Sequence, residues 1–338
     1  MEADMAGSQG ATDAPRAFSR IAVACERGSG LLMLARFALM FAANNPAVRL
    51  IDIVSNPASL FPTLMLSYPD WSEAHRAMTH AASTMLRQAS AELARAGIDV
   101  DTQLLDSPAL HIDTAVVLGR AATCWQADLV AISSPSRKHH WACHFNPEEV
   151  AASTHCPVLY VPNSQLSTEI PRRARVLILV DGRHASLQML RAALPSVPAD
   201  AELKVAYVID GLFHLRTWCP RDLLRRLGER ALEAAAGVLR EHGVDARTTL
   251  LETQGELDDV PDAISREAKQ WKADVIVMGL RSRHALSETL PGRVASRALR
   301  DPPCAVIVYP PAWVAEKLAQ TIDGPMVATG MEPPPIIL

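Results

Sequence analysis

The chain has 338 residues, of which 49% are apolar and 21% charged, with a formal net charge of -4. That length suits two cores of ordinary size, and the interspersed charge gives no reason to expect a nucleic-acid or anionic-membrane partner. The most apolar run, residues 31–43, is shorter than the ~18 residues of a membrane span and contains Arg36.

Residues 1–18 lack the basic start and apolar run of a secretory signal and are expected to have no regular structure. The six cysteines, Cys25, Cys124, Cys143, Cys156, Cys219 and Cys304, show no CxxC spacing and are too few for a disulfide framework. A reducing cytoplasm is the expected compartment. From residue 19 the chain alternates short apolar runs with amphipathic ones. Runs at 21–25, 48–54, 99–105, 129–133 and 157–161 are mostly rich in Val, Ile and Leu without alternation, as strands buried on both faces should be. A second set lies at 175–180, 203–209, 245–251, 275–279 and 305–309. The third run of each set alternates better, which suits a sheet edge. Between the runs, Ala74, Met78, Ala81, Met85 and Ala89 make one helical stripe, and Leu224, Leu227, Ala231, Ala234 and Val238 another. Gly97 and Gly243 follow these helices, where a left-handed residue ends them. Such alternation implies a parallel sheet with helices on both faces. Residues 324–338, with Pro333-Pro334-Pro335, are expected to be irregular.

The chain repeats itself. Trp125-Gln126-Ala127-Asp128-Leu129-Val130 returns as Trp271-Lys272-Ala273-Asp274-Val275-Ile276, an offset of 146. The same offset carries Gly97-Ile98-Asp99 onto Gly243-Val244-Asp245. Nearer the start the offset is 155, with Arg20-Ile21-Ala22-Val23 meeting Arg175-Val176-Leu177-Ile178. The difference falls in a long connection, 56–71, whose Leu60, Phe61, Leu64, Met65, Leu66 and Tyr68 are too apolar for a solvated loop. It is expected to fold back over its own domain or to form an interaction patch. The division that follows is a first domain at 19–162, a linker at 163–173 and a second domain at 174–311.

The stretch 273–309 carries the functional signal. An apolar strand runs into Gly279, then a basic loop to Pro291, then Gly292 and a helical segment to Arg300. This arrangement presents backbone N–H groups to an anion. Together with Val180-Asp181-Gly182, Val208-Ile209-Asp210 and Pro303-Cys304-Ala305-Val306, it resembles the universal stress protein family, here as a tandem pair. The resemblance implies two five-stranded parallel sheets of order 3-2-1-4-5, paired through their fifth strands as a pseudo-dimer. Nucleotide-binding members of that family carry G-x2-G-x9-G-[ST]. This chain has Gly279 and Gly292, but Ser282 replaces the second glycine and Arg293 the hydroxyl residue.

By the same resemblance, Asp181 would contact the nucleoside part of ATP and Val208 would meet the adenine. Gly279 and Gly292 would lie by the phosphates, with Arg281, Ser282, Arg293 and Val294 around them. Ser282 would be strained by roughly 1–2 kcal/mol if its backbone is left-handed. Arg293 trades a hydroxyl for a cation. The first copy departs further. Glu26, Ser133 and Ser136 stand where Asp181, Gly279 and Ser282 stand, and Glu148 and Glu149 fall at the phosphate end of its loop. That copy is not expected to bind ATP. His139, His140, Cys143 and His144 crowd the same loop without a zinc-site spacing, so no metal is expected. Cys156 and Cys304 share a repeat position and read as small buried residues. No G-x-S-x-G, Walker or HExxH motif is present, so the chain is not read as an enzyme. Two readings stand: a stress-response regulator with weak adenine-nucleotide binding in the second domain, and a ligand-free scaffold. Either would act through an unidentified protein partner or a homodimer.

Overall fold

The computed structural model describes residues 18–25, 30–60, 67–107, 113–133, 145–166, 169–211, 219–254, 258–280 and 293–322. Ten strands form one sheet in the order β3-β2-β1-β4-β5-β10-β9-β6-β7-β8. The first half holds β1 (Phe18–Ala24), β2 (Ala42–Ser55), β3 (Asp99–Ser107), β4 (Leu129–Ser133) and β5 (Val158–Val161). The second holds β6 (Arg175–Leu179), β7 (Glu202–Ile209), β8 (Ala246–Glu252), β9 (Val275–Gly279) and β10 (Ala305–Tyr309). Every predicted strand overlaps an observed one. The helices are α1 (Leu31–Ala38), α2 (Pro57–Leu60), α3 (Tyr68–Arg95), α4 (Thr114–Cys124), α5 (Pro147–Thr154), α6 (Asn163–Leu166), α7 (His184–Ala193), α8 (Arg221–Glu241), α9 (Val260–Trp271), α10 (Arg293–Arg300) and α11 (Pro311–Ile322).

Within each half the strand order is 3-2-1-4-5 and all pairings are parallel. The halves meet at β5 and β10, which pair antiparallel with Leu159 opposite Ile307. Pro162 and Pro310 follow these strands directly and end them. Right-handed crossovers put α1 and α3 on one face of the first half and α4 and α5 on the other.

The repeated Trp-x-Ala-Asp is a joint between helix and sheet. Gln126 and Lys272 both adopt left-handed backbone, at φ 58 and 56. That turn lets Ala127 N–H reach the Ala122 carbonyl and Ala273 N–H the Ala268 carbonyl. Asp128 then accepts hydrogen bonds from Ser19 N–H and Arg20 N–H at 2.8 and 2.9 Å, and Asp274 accepts one from Arg175 N–H at 2.8 Å. Each carboxylate thereby fixes the entry of strand 4 against strand 1. Burial pushes both acids above their ordinary range, and these N–H donors pull back. The tryptophans are gripped by cations: Arg20 and Arg49 lie 4.7 and 4.9 Å from the Trp125 ring, and Lys204 lies 4.7 Å from Trp271.

Two expectations need correction. The buried stripe of α3 is Ala82, Leu86, Ala89 and Leu93, and Ala81 is exposed. In α8 the buried face is Gly228, Ala231, Leu232, Ala235, Val238 and Leu239, with Leu227 and Ala234 exposed. In both helices the face is turned by about one residue. Small residues let the helix approach the sheet, and the buried face is the one where Leu86 and Leu93, or Leu232 and Leu239, fall beside them. Gly97 and Gly243 do follow the helices with positive φ, 81 and 64. Of the connection 56–71, residues 61–66 lie outside the described residues. Its ends are tied by Asn56, whose carboxamide oxygen accepts from Ala58 N–H and Trp71 Nε1–H. Cys156 and Cys304 are buried, and burial pushes both thiols up to about 12, as the small-apolar reading requires.

One buried group works against the fold. Asp52 sits in β2 opposite Leu104, 9% exposed, and accepts a bond from Ile53 N–H. Burial pushes it from 3.8 to about 6, and that N–H bond only partly opposes the rise. Below about pH 4 the carboxyl is protonated folded and unfolded, and no charge is buried. As pH rises through about 6 the folded state must hold the anion, so stability falls across that window by on the order of 3 kcal/mol. Asp52→Asn should therefore stabilise the protein at pH 7, flatten its stability between about pH 4 and 6, and change little below pH 4. Urea unfolding across pH checks this. A parallel profile for the two proteins would refute it. A second expectation concerns the shared sheet. Leu159→Ala, at a fully buried site facing the second half, should cost about 2–5 kcal/mol. Both halves should lose stability together, and two separate melts with only one shifted would show that they fold apart.

Candidate ligand-binding site

In a parallel sheet of this order, strand 1 is flanked by strands reached from opposite directions. The crevice outside the strand carboxyl ends at that reversal is where α/β sheets take ligands. In the second half the reversal lies between β6 and β9. A cavity of about 460 Å3 opens there, within the size range of small-molecule pockets. Asp181, Val208 and Gly279, singled out from the sequence, all line it.

The local sequence explains how Asp181 is held. It accepts a hydrogen bond from Arg183 N–H at 3.0 Å, a turn bonded by its own side chain. Ser186 Oγ accepts from Asp181 N–H at 3.3 Å and donates to the Arg183 carbonyl at 2.9 Å. Gly182, between them, has φ +76, and a Cβ there would stand 3.0 Å from Ala231 Cβ of α8. Glycine is needed for both reasons. No side chain caps the start of α7; the Arg183 carbonyl accepts from Ser186 N–H and Leu187 N–H, and Arg183, Ala185 and Ser186 line the crevice.

Gly279 is a different case. It has no left-handed backbone, and a Cβ there would meet Met189 Cγ only at 3.6 Å, an ordinary contact. The fold tolerates a methyl group at this position. What glycine supplies is an open floor to the cavity.

The remaining walls were not foreseen. Tyr207 lines the cavity beside Val208; burial, then the charge of Asp181, pushes its phenol up. Met189, Met278 and Ile264 add apolar surface. Tyr309 is buried at the cavity's end, its hydroxyl 2.8 Å from Ser196 Oγ. α11 contributes Pro311, Val314 and Ala315. That helix had a readable start, a proline followed by Trp313, Val314 and Leu318 at helical steps. Its opposite side reaches the first half: Trp313 lies 6.4 Å from Phe18 and 5.1 Å from Tyr309.

Of the other predicted site residues, Arg281, Ser282 and Gly292 lie outside the described residues. Arg293 and Val294 open α10. That helix is anchored beside the cavity, because Arg297 pairs with Asp259, the N-cap of α9, and α9 places Val260 and Ile264 on the wall.

The corresponding place in the first half is built differently. Ser133 and Cys25, at the positions of Gly279 and Val180, touch each other at 3.2 Å and are buried. Leu166 of α6 presses on Gly30, where an added Cβ would be 2.8 Å from its Cδ1. Side chains therefore occupy the floor that is open in the second half. Glu148 and Glu149 sit in the first turn of α5, whose N-cap Asn146 accepts from Glu148 N–H, an ordinary helix start. Glu26, Ser136 and the cluster His139, His140, Cys143 and His144 lie outside the described residues. Among the described residues no group of His, Cys, Asp or Glu is arranged to hold a metal ion, and no helix is long and apolar enough to cross a membrane.

Comparison with known proteins agrees with this geometry. The sequence model of the universal stress protein family matches residues 173–310. A universal stress protein of Methanocaldococcus jannaschii is 31% identical over 157 residues, covering 44% of this chain and 89% of that protein. A universal stress protein structure from Archaeoglobus fulgidus superposes with a TM-score of 0.56 at 16% identity, covering 87% of this chain and 96% of its own. A functionally unknown protein from Pseudomonas aeruginosa does so at 0.55 and 18% identity, covering 93% and 100%. These two likenesses are of fold, and they span both halves. The relative's identity over most of its own length, with the family match on the half that carries the cavity, places this chain in the universal stress protein family.

Proposed function

We propose that the protein is a stress-response regulator that holds an adenine nucleotide weakly in the second-half cavity and does not turn it over efficiently. The observation that carries this reading is the meeting of Asp181, Val208 and Gly279 around one cavity at the strand-order reversal. The open floor at Gly279 supports it, since nothing in the fold itself requires glycine there. The apolar walls suit a purine face, and Asp181 suits a ribose hydroxyl donor.

Affinity is held down by the two departures from the family's loop. One lost phosphate hydrogen bond costs about 0.5–1.5 kcal/mol, and serine in place of the family's second glycine would add a similar amount if that position calls for left-handed backbone. Together they weaken binding roughly ten- to a hundredfold against an intact loop. Cys25, Ser133 and Leu166 fill the equivalent floor of the first half, so no nucleotide is expected there. The fifth-strand edges are paired within the chain, so a second copy would have to use another surface.

Calorimetric titration of the whole chain with ATP tests the proposal. Weak binding is expected, tightened about tenfold or more by Ser282→Gly with Arg293→Ser, and abolished by Asp181→Ala. Glu26→Ala should leave it unchanged. A flat titration of the double variant would refute the nucleotide reading and leave the scaffold reading in its place.

A further inference from the structure

A second cleft, of about 780 Å3, lies in the first half between α3 and β3, the outermost strand of the sheet. Its floor is Leu86 and Leu104, and its rim carries His75, Arg76, His80 and Arg87 from α3 with Thr102 and Asp106 from β3. The placement follows from period. Thr102, Leu104 and Asp106 alternate onto the strand face that meets the helix. His75, Thr79, Ser83, Leu86 and Arg87 recur along α3 at steps of three and four on the side facing that strand.

The charge of the rim is one-sided. Among the described lining residues two guanidiniums and two imidazoles face one carboxylate, Asp106, engaged 3.1 Å from His75 Nε2; a second carboxylate, Asp52, is buried below them opposite Leu104. One N–H of Arg76 goes to the Ser72 carbonyl and one of Arg87 to Thr84 Oγ1, out of five on each side chain. His75 is held in place: its ring stacks 4.9 Å from Trp71, and Trp71 is fixed by its bond to Asn56. Its Nδ1 is shut off from solvent and has no hydrogen-bond partner among the described residues.

The second half provides an internal comparison. The offset that aligns Gly97 with Gly243 puts Glu229 at the place of Ser83, Glu233 at that of Arg87 and Glu252 at that of Asp106. There Arg225 pairs with Glu252 at 3.8 Å, and the two glutamates offset the remaining cations. The packing differs as well. In α8, Gly228 lies so close to the sheet that a Cβ would be 2.5 Å from Leu250 and 2.9 Å from Tyr207. α3 carries Ala82 at that position, and β2 carries Asp52 where β7 has Tyr207. The unbalanced cations and the space beneath the helix thus belong to the first half.

We propose that this cleft binds a small oxyanion of the phosphate class, at a site separate from the nucleotide cavity and independent of its occupancy. Arg76 and Arg87 would supply charge-assisted N–H bonds, and His80, Ser83 and Thr102 the shorter-range donors, with the His75 ring as a wall. An open, cationic rim implies binding that weakens with salt.

The probe is inorganic pyrophosphate, added to the whole chain at low ionic strength. The imidazole Cε1–H resonances of His75 and His80, assigned with His75→Gln and His80→Gln, report on the cleft directly. Saturable shifts of both resonances are expected. Arg87→Glu, which installs the second half's residue, should weaken binding by about tenfold or more, and Ser83→Glu should do the same. Arg240→Glu, an equal charge change at an exposed position of α8, should leave it intact. Shifts that grow without saturating, or that survive Arg87→Glu, would mean an adventitious ion only. Saturable pyrophosphate binding that leaves both resonances unmoved would place the anion elsewhere. Either result overturns the proposal, and neither depends on whether ATP binds the second half.

Discussion

The structure depends on one short antiparallel pairing, Val158–Val161 against Ala305–Tyr309. Each half ends its parallel sheet on a fifth strand whose outer edge would otherwise be unpaired. An unpaired, fully apolar edge is an aggregation hazard. Joining the two edges removes it and turns two five-stranded sheets into one of ten. It also sets which ends of the halves face each other. Because the pairing is antiparallel, the carboxyl end of β10 lies beside the amino end of β5. Helix α11, leaving β10, therefore walls its own half's cavity with Val314 and sets Trp313 at a tilt 6.4 Å from Phe18 of the other half.

Folding chemistry and ligand chemistry are placed at opposite ends of the strands. The Trp-x-Ala-Asp joints sit where strand 4 begins, with the carboxylates of Asp128 and Asp274 bonded to the N–H groups that start strand 1. These are half-buried acids bonded by backbone N–H groups, which is how a charged group can be both costly and specific. The candidate cavity lies at the other end, where β6, β7, β9 and β10 finish. Repetition is kept most clearly at the joint, and the ligand ends have diverged.

That divergence has a simple physical form. In the second half a glycine leaves the floor open between apolar walls. In the first half the Cys25–Ser133 contact and Leu166 close it, while a different space appears beneath α3. A duplicated fold can thus lose a pocket at one place and gain a cleft at another without altering its sheet.

Much of this was legible in the sequence. Val, Ile and Leu runs located the strands buried on both faces, and alternation located the edge strands β3 and β8, because an edge strand keeps polar positions on its open face. The 146-residue repeat implied two like units, and Gly97 and Gly243 marked helix ends because positive φ favours glycine locally. Asp181, Val208 and Gly279 could be named because they match ligand positions of the universal stress protein family, at or near the ends of β6, β7 and β9. Other features were decided only in three dimensions. The buried faces of α3 and α8 turned away from the alanine stripe toward Leu86, Leu93, Leu232 and Leu239, since side-chain volume against the sheet sets the rotation. The closing of the first half's floor depends on Cys25 meeting Ser133 and on Leu166 meeting Gly30. The cleft beside β3 depends on how α3 lies on its strand. Such distances join residues far apart in the chain, and no local period records them.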